Sequence, residues 1–168
     1  MEIIPRIVSR AAPIAALLLV AACAETPGDL PGVHYATAAS EGKTATFLAG
    51  RPTVDQVAVA EDKWSRAVAD SYACKLKQGD VFEASMIGAL EVATMSSIGQ
   101  GGGKKERDRA VLGYAAKAAT LAFAGGPRPP KERCDALRAW LPQVRADGKA
   151  ALKRAKDQGY FDKYLGRL

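Results

Sequence analysis

Few side chains in this sequence suit catalysis or metal binding. Cysteine occurs at positions 23, 74 and 134, and the only histidine is His34. Neither Cys74 nor Cys134 has a second cysteine or a histidine at the spacing of a metal site. A Ser–His–acid set for nucleophilic catalysis would depend on His34, which lies in a stretch predicted to be a linker. We therefore expect no enzyme activity, no metal site and no cofactor.

Glu91 is the one charged residue in the middle of a long apolar stretch, residues 81–98. A carboxylate in such a place either finds a partner or is a candidate for a functional group with a perturbed pKa. Lys117, in the next apolar stretch, is the partner that the sequence suggests. Pairing with a lysine, or exposure through a gap between helices, is the expectation here.

The glycine-rich stretch at residues 99–105 does not form a phosphate-binding loop. Ile98 stands where that motif needs its first glycine, and Lys105 stands where it needs serine or threonine. The stretch also follows a predicted helix instead of a strand. A flexible connection between two apolar helices accounts for it better.

The first residues have the features of an export signal. Arg6 and Arg10 precede a short apolar run, and small residues follow it. The leader ends in a four-residue stretch that resembles the lipobox of bacterial lipoproteins: Val20, Ala21, Ala22 and Cys23. The resemblance covers the leader and Cys23 only. It implies cleavage after residue 22, acylation of Cys23, and a mature chain tethered to a membrane outside the cytoplasm.

The leader is also compatible with an ordinary secretory signal that has a coincidental cysteine, or with an uncleaved membrane anchor. The apolar run contains Pro13 and is shorter than the ~20 residues that a membrane span needs. In lipoproteins of enteric-type bacteria, an Asp after the acylated cysteine resembles an inner-membrane retention mark. Ala24 stands there, which favours the outer membrane over the inner one.

The mature chain is predicted to be all-α. Residues 24–52 lack periodicity and are rich in Ala, Thr, Gly and Pro, as in a flexible tether. Thr53 and Gln56 then form a predicted capping box. Apolar residues recur at helical spacing in four stretches, at about residues 54–77, 81–98, 104–124 and 130–155. We expect a signal at 1–22, a lipidated linker at 23–52, and an up-down four-helix bundle within 53–168, with Tyr160, Phe161, Tyr164 and Leu165 at its end.

The two remaining cysteines are expected to form a disulfide. Export places Cys74 and Cys134 in an oxidising compartment, where an even pair favours a disulfide. In an up-down bundle, the end of the first helix and the start of the fourth lie together. Both cysteines fall on the inward faces of these helices, so the topology and the compartment predict the same bond.

The chain carries a net charge of +6, and its bases concentrate in the fourth helix. Lys149, Lys153, Arg154 and Lys156 are candidate contacts for anionic lipid or envelope polymer, although such a cluster is also typical of a solvated helix face. Nucleic acid is not expected as a partner.

Three functions follow from these patterns. The first is a non-catalytic structural or interaction lipoprotein with an envelope protein as its partner. The second is a membrane-active hairpin of the two middle helices, and the third is a binder of anionic lipid or polymer through the basic fourth helix. The apolar second helix would also suit a homodimer interface.

Overall fold

The computed structural model describes residues 29–36, 50–99 and 104–157. Four long helices lie in these ranges: α1 (Val54–Ala73), α2 (Gln78–Gly99), α3 (Lys104–Phe123) and α4 (Lys131–Asp157). The described part of the chain contains no strand. The predicted all-α class is confirmed, and the helices pack against one another as a bundle.

The helices alternate in direction, and α1 and α2 form the central pair. Trp64 of α1 lies against Gly88 of α2, and α3 packs on both of these helices from one side. Helix α4 contacts the same pair from the other side, and no extensive interface joins it to α3. The bundle is therefore a flattened one in which α3 and α4 flank a shared centre.

Local sequence determines where α1 begins and ends. The Gln56 backbone N–H donates to Thr53 Oγ1 at 3.2 Å, and the Gln56 side chain accepts from the Thr53 N–H at 2.8 Å. This confirms the predicted capping box. The helix ends at Ala73, earlier than expected, because Leu76 N–H bonds to Ser71 O and Lys75 N–H to Tyr72 O. Lys75 takes the left-handed conformation (φ 57°) that this closing motif requires.

The core centres on Trp64, which is 1% exposed. Its ring lies 5.6 Å from the ring of Trp140 on α4. A Cβ at Gly88 would approach the Trp64 ring to 2.7 Å, so glycine allows α2 to pack closely on α1. Other side chains buried in this cluster come from all four helices, namely Val57, Val68, Val81, Ile87, Val92, Tyr114 and Leu141.

Helix α4 is joined to the bundle by covalent and ionic contacts. Cys74, the C-cap of α1, forms a disulfide with Cys134 in the first turns of α4, with 5.5 Å between their Cα atoms. Beside this bond, Arg133 pairs with Asp70 at 3.0 Å. The helix continues through Pro142 to Asp157.

Replacing both Cys74 and Cys134 with serine should lower the free energy of unfolding. The bond spans a sequence separation of 60 residues. In the chain-entropy model, closing a loop of that length contributes about 4 kcal/mol. Urea denaturation of the double variant and the wild type measures the difference. Thiol labelling of the folded wild type without reductant is the control, and stoichiometric labelling at both positions would contradict the disulfide.

Candidate functional site: a buried carboxylate that binds the N-terminal segment

Residues 29–36 pack on the bundle, and we call them the docked segment. Their main attachment is Glu91 of α2, whose side chain is 2% exposed. Glu91 Oε1 accepts the backbone N–H of His34 at 2.9 Å and that of Tyr35 at 2.8 Å. Glu91 Oε2 accepts the N–H of Ala36 at 2.8 Å. Three consecutive amides thus converge on one carboxylate.

This geometry explains how an acid is tolerated inside an apolar helix bundle. Burying a carboxylate without partners costs several kcal/mol, and hydrogen bonds to its charged form offset that cost. Successive backbone N–H groups that point to one place form an anion-binding concavity. Here the anion is a side chain of the same protein, so the interaction fixes the docked segment to α2.

Two further contacts hold the docked segment to α1 and α4. Trp140 Nε1 donates to the Pro31 carbonyl oxygen at 2.6 Å. Asp29 pairs with Lys63 of α1 at 2.5 Å. The hydrogen bond from Lys63 holds the pKa of the Asp29 carboxyl below its usual value. The segment therefore touches three helices.

The docked segment also contributes to the core. Val33 and Ala36 are 8% and 6% exposed, and both belong to the main apolar cluster with Trp64 and Val144. The sequence predicts a flexible tether for this stretch, but in the structure the stretch is packed on the bundle. It packs there because it supplies apolar side chains to the core and three amides to Glu91. The sequence boundary at residue 53 thus omits a part of the packed domain.

The expected pairing of Glu91 with Lys117 is wrong. Lys117 Nζ lies 2.6 Å from Asp62 Oδ1 on α1. Asp62 also accepts from Arg66 Nε at 2.8 Å. These two hydrogen bonds, that of Lys117 foremost, hold the pKa of Asp62 below its usual value. Lys117 thus joins α3 to α1, while Glu91 is satisfied by backbone donors.

Tyr114 is a second buried polar side chain, and it lies between α1, α2 and α3. Its hydroxyl donates to the Ser85 carbonyl oxygen at 3.0 Å, and its own carbonyl oxygen accepts from Ser65 Oγ at 3.3 Å. Burial raises the pKa of Tyr114 to about 12. The phenol stays neutral at ordinary pH, as expected of a structural hydrogen-bond donor.

The predicted basic contacts of α4 lie at the surface. Lys149 Nζ is 3.6 Å from Glu83 of α2, and Lys153 Nζ is 2.7 Å from Asp157. Lys156 is exposed, and Arg154 is half-buried. Their proposed contact with anionic lipid or polymer stays a prediction. The leader and Cys23 lie outside the described residues.

Arg145 is a further basic residue of α4 that pairs with another helix of the bundle. It bonds to Asp80 at 2.7 Å and to Glu83 at 2.5 Å, both at the start of α2. The hydrogen bond from Arg145 holds the pKa of Glu83 below its usual value. Arg145 therefore fixes the middle of α4 beside α2.

Comparison with known proteins identifies no relative: no family model, no curated protein and no solved structure matches this chain. Among the described residues, no group of His, Cys, Asp and Glu is arranged to hold a metal ion. No helix in the described ranges has the length and apolar character needed to cross a membrane.

Glu91→Gln should destabilise the protein, because the amide nitrogen of glutamine would face a backbone N–H where a carboxylate oxygen accepts one now. A hydrogen bond to a charged group contributes about 1.5–3 kcal/mol, which sets the expected loss. Chemical denaturation measures it. Glu106→Gln, at an exposed position in the first turn of α3, is the control and should cost at most ~1 kcal/mol, the contribution of an acid near a helix N-terminus. Equal stability of the two variants would contradict the role assigned to Glu91.

Proposed function

We propose that the protein is a lipid-anchored envelope protein whose helical domain acts as a non-catalytic structural or interaction module. The observation that carries the proposal is the leader, which ends in Val20, Ala21, Ala22 and Cys23. Acylation of Cys23 would attach the mature chain to a membrane, with the outer membrane favoured by Ala24. The disulfide between Cys74 and Cys134 supports residence in an oxidising compartment.

The polar groups of the domain support a structural role for its interior. Glu91 is occupied by amides of the docked segment, and Tyr114 by Ser85 and Ser65. Each of these buried groups joins two parts of the chain. Their hydrogen-bonding capacity is used to hold the domain together, which is how buried polar networks rigidify a fold.

The surface of α2 and α3 supports a role in interaction. Four large apolar side chains are strongly exposed there: Phe82 at 60%, Met86 at 58%, Leu112 at 68% and Phe123 at 88%. Phe82 and Met86 are four residues apart and so share one face of α2. Contiguous exposed apolar surface is typical of protein–protein contact sites. An envelope protein is the partner that the proposal assigns to it.

The anchor is tested by Cys23→Ser. The precursor should then stay unlipidated and uncut, because the acyl chains are added to the cysteine thiol and its processed amine. Ala24→Ser is the control, which leaves Cys23 in place and should be processed as the wild type is. Mass spectrometry of the mature N-terminus gives the result. An unmodified wild-type N-terminus at any other residue would contradict the lipid anchor.

A further inference from the structure

We infer that the α1 face around Asp29 lies against the phospholipid surface, with α2 turned away from the membrane. This inference rests on the proposed anchoring through Cys23. It deepens that proposal by naming the surface of the domain that meets the bilayer.

The first argument is the length of the connection between the anchor and the domain. The docked segment begins at Asp29, and five residues, 24–28, separate it from Cys23. Even fully extended, this connection spans only about 20 Å, at ~3.3–3.6 Å per residue. A linker of residues 23–52 that was free along its whole length would have left the domain's orientation open.

The second argument is the position of Asp29 on the bundle. Asp29 pairs with Lys63 and lines one cleft with Val59, Asp62 and Arg66 of α1. Around the α1 axis, Val59 and Asp62 are about 140–160° from Trp64, and Lys63, the partner of Asp29, is about 100° from it. Because Trp64 faces α2 at Gly88, this cleft lies on the side of α1 that points away from α2.

The third argument is the thickness of the domain. Met86 is about 160° around the α2 axis from Gly88, so it points away from α1. Two packed helices, each about 10 Å across, separate the Asp29 cleft from the Met86 face. A connection of about 20 Å would have to run around both helices to bring Met86 to the bilayer, and it is too short for that path.

The side chains of the α1 face suit a phospholipid surface. Four bases line the cleft, namely Lys63, Arg66, Lys117 and Arg133. They pair with three carboxylates, those of Asp29, Asp62 and Asp70. Asp55, exposed on the same face of α1, adds a fourth carboxylate, so the face carries no net charge that would oppose its approach to a phospholipid surface. Val59 adds an aliphatic side chain that is 53% exposed.

The orientation is tested with the mature lipidated protein in vesicles of phosphatidylethanolamine and phosphatidylglycerol. A nitroxide is attached at Val59→Cys or at Met86→Cys, without reductant, so that the disulfide stays closed. The two native side chains are similarly exposed, at 53% and 58%. A small fraction of lipid carries a chelated Ni²⁺ headgroup, which accelerates nitroxide relaxation at short distance. We expect at least a threefold larger effect at position 59 than at position 86.

Two controls make the result specific. A soluble Ni²⁺ chelate should relax both labels equally in the unlipidated protein, made without residues 1–22 and with Cys23→Ser, because no lipid or micelle then covers either face. Inserting 20 Gly/Ser residues between Gly28 and Asp29 raises the reach of the connection to about 25–30 Å root-mean-square and should bring the ratio close to one. A ratio that stays unchanged after the insertion would overturn the argument from tether length.

The failures of the two proposals are distinguishable. Mass spectrometry of the N-terminus and vesicle flotation report on the anchor alone. A lipidated protein that floats with the vesicles, but shows equal relaxation at positions 59 and 86, would overturn the orientation and leave the anchor intact. An unmodified N-terminus would overturn the anchor and, with it, this inference.

Discussion

The carboxylate of Glu91 is enclosed by the bundle and accepts the backbone N–H groups of three successive residues, His34, Tyr35 and Ala36. A buried charge of this kind demands partners, and in this protein the partners come from a segment remote in sequence. Satisfying Glu91 therefore requires the docked segment to lie against α2. Once there, it places Val33 and Ala36 in the core and the Pro31 carbonyl beside Trp140.

The position of helix α4 in turn depends on the docked segment. Helix α4 has no extensive interface with α3, so its position depends on α1, α2 and the docked segment. Its start is fixed by the disulfide from Cys74, and its middle by Arg145 between Asp80 and Glu83. Trp140 lies between these two attachments and packs near Trp64. The docked segment thus packs beside α4 and covers a part of the apolar core that α4 does not cover by itself.

Most of the helical frame can be predicted from the sequence. Apolar periodicity locates all four helices, and Thr53 with Gln56 marks the start of α1. The position of Cys74 and Cys134 on antiparallel neighbours predicts their bond. These features depend on local spacing and on topology, both of which a sequence displays directly. The end of α1 is harder to predict from the sequence, because Lys75 takes the left-handed conformation that glycine usually takes.

The sequence identifies one part of the site, the buried acid Glu91, but not the residues that bind it. An isolated acid at Glu91 in an apolar helix indicates that a partner must exist, and the structure contains one. The sequence suggests Lys117 instead of the true partners, because backbone amides leave no trace in residue types. The docked segment has too few residues for a periodic pattern, and its composition resembles that of a linker. Its apolar residues, Val33 and Tyr35, are the available indication that it packs on the domain.

Residues 29–36 belong to the folded domain because Glu91 binds the backbone amides of residues 34–36. Amide hydrogen exchange tests this interaction directly. The exchange is followed residue by residue by NMR in the wild-type protein. We predict that the amides of His34, Tyr35 and Ala36 exchange at least ~100-fold more slowly than in an unstructured chain, as expected for hydrogen bonds that open only with local unfolding. Exchange of these three amides at the rate of an unstructured chain, in a protein whose helices are protected, would contradict the binding by Glu91.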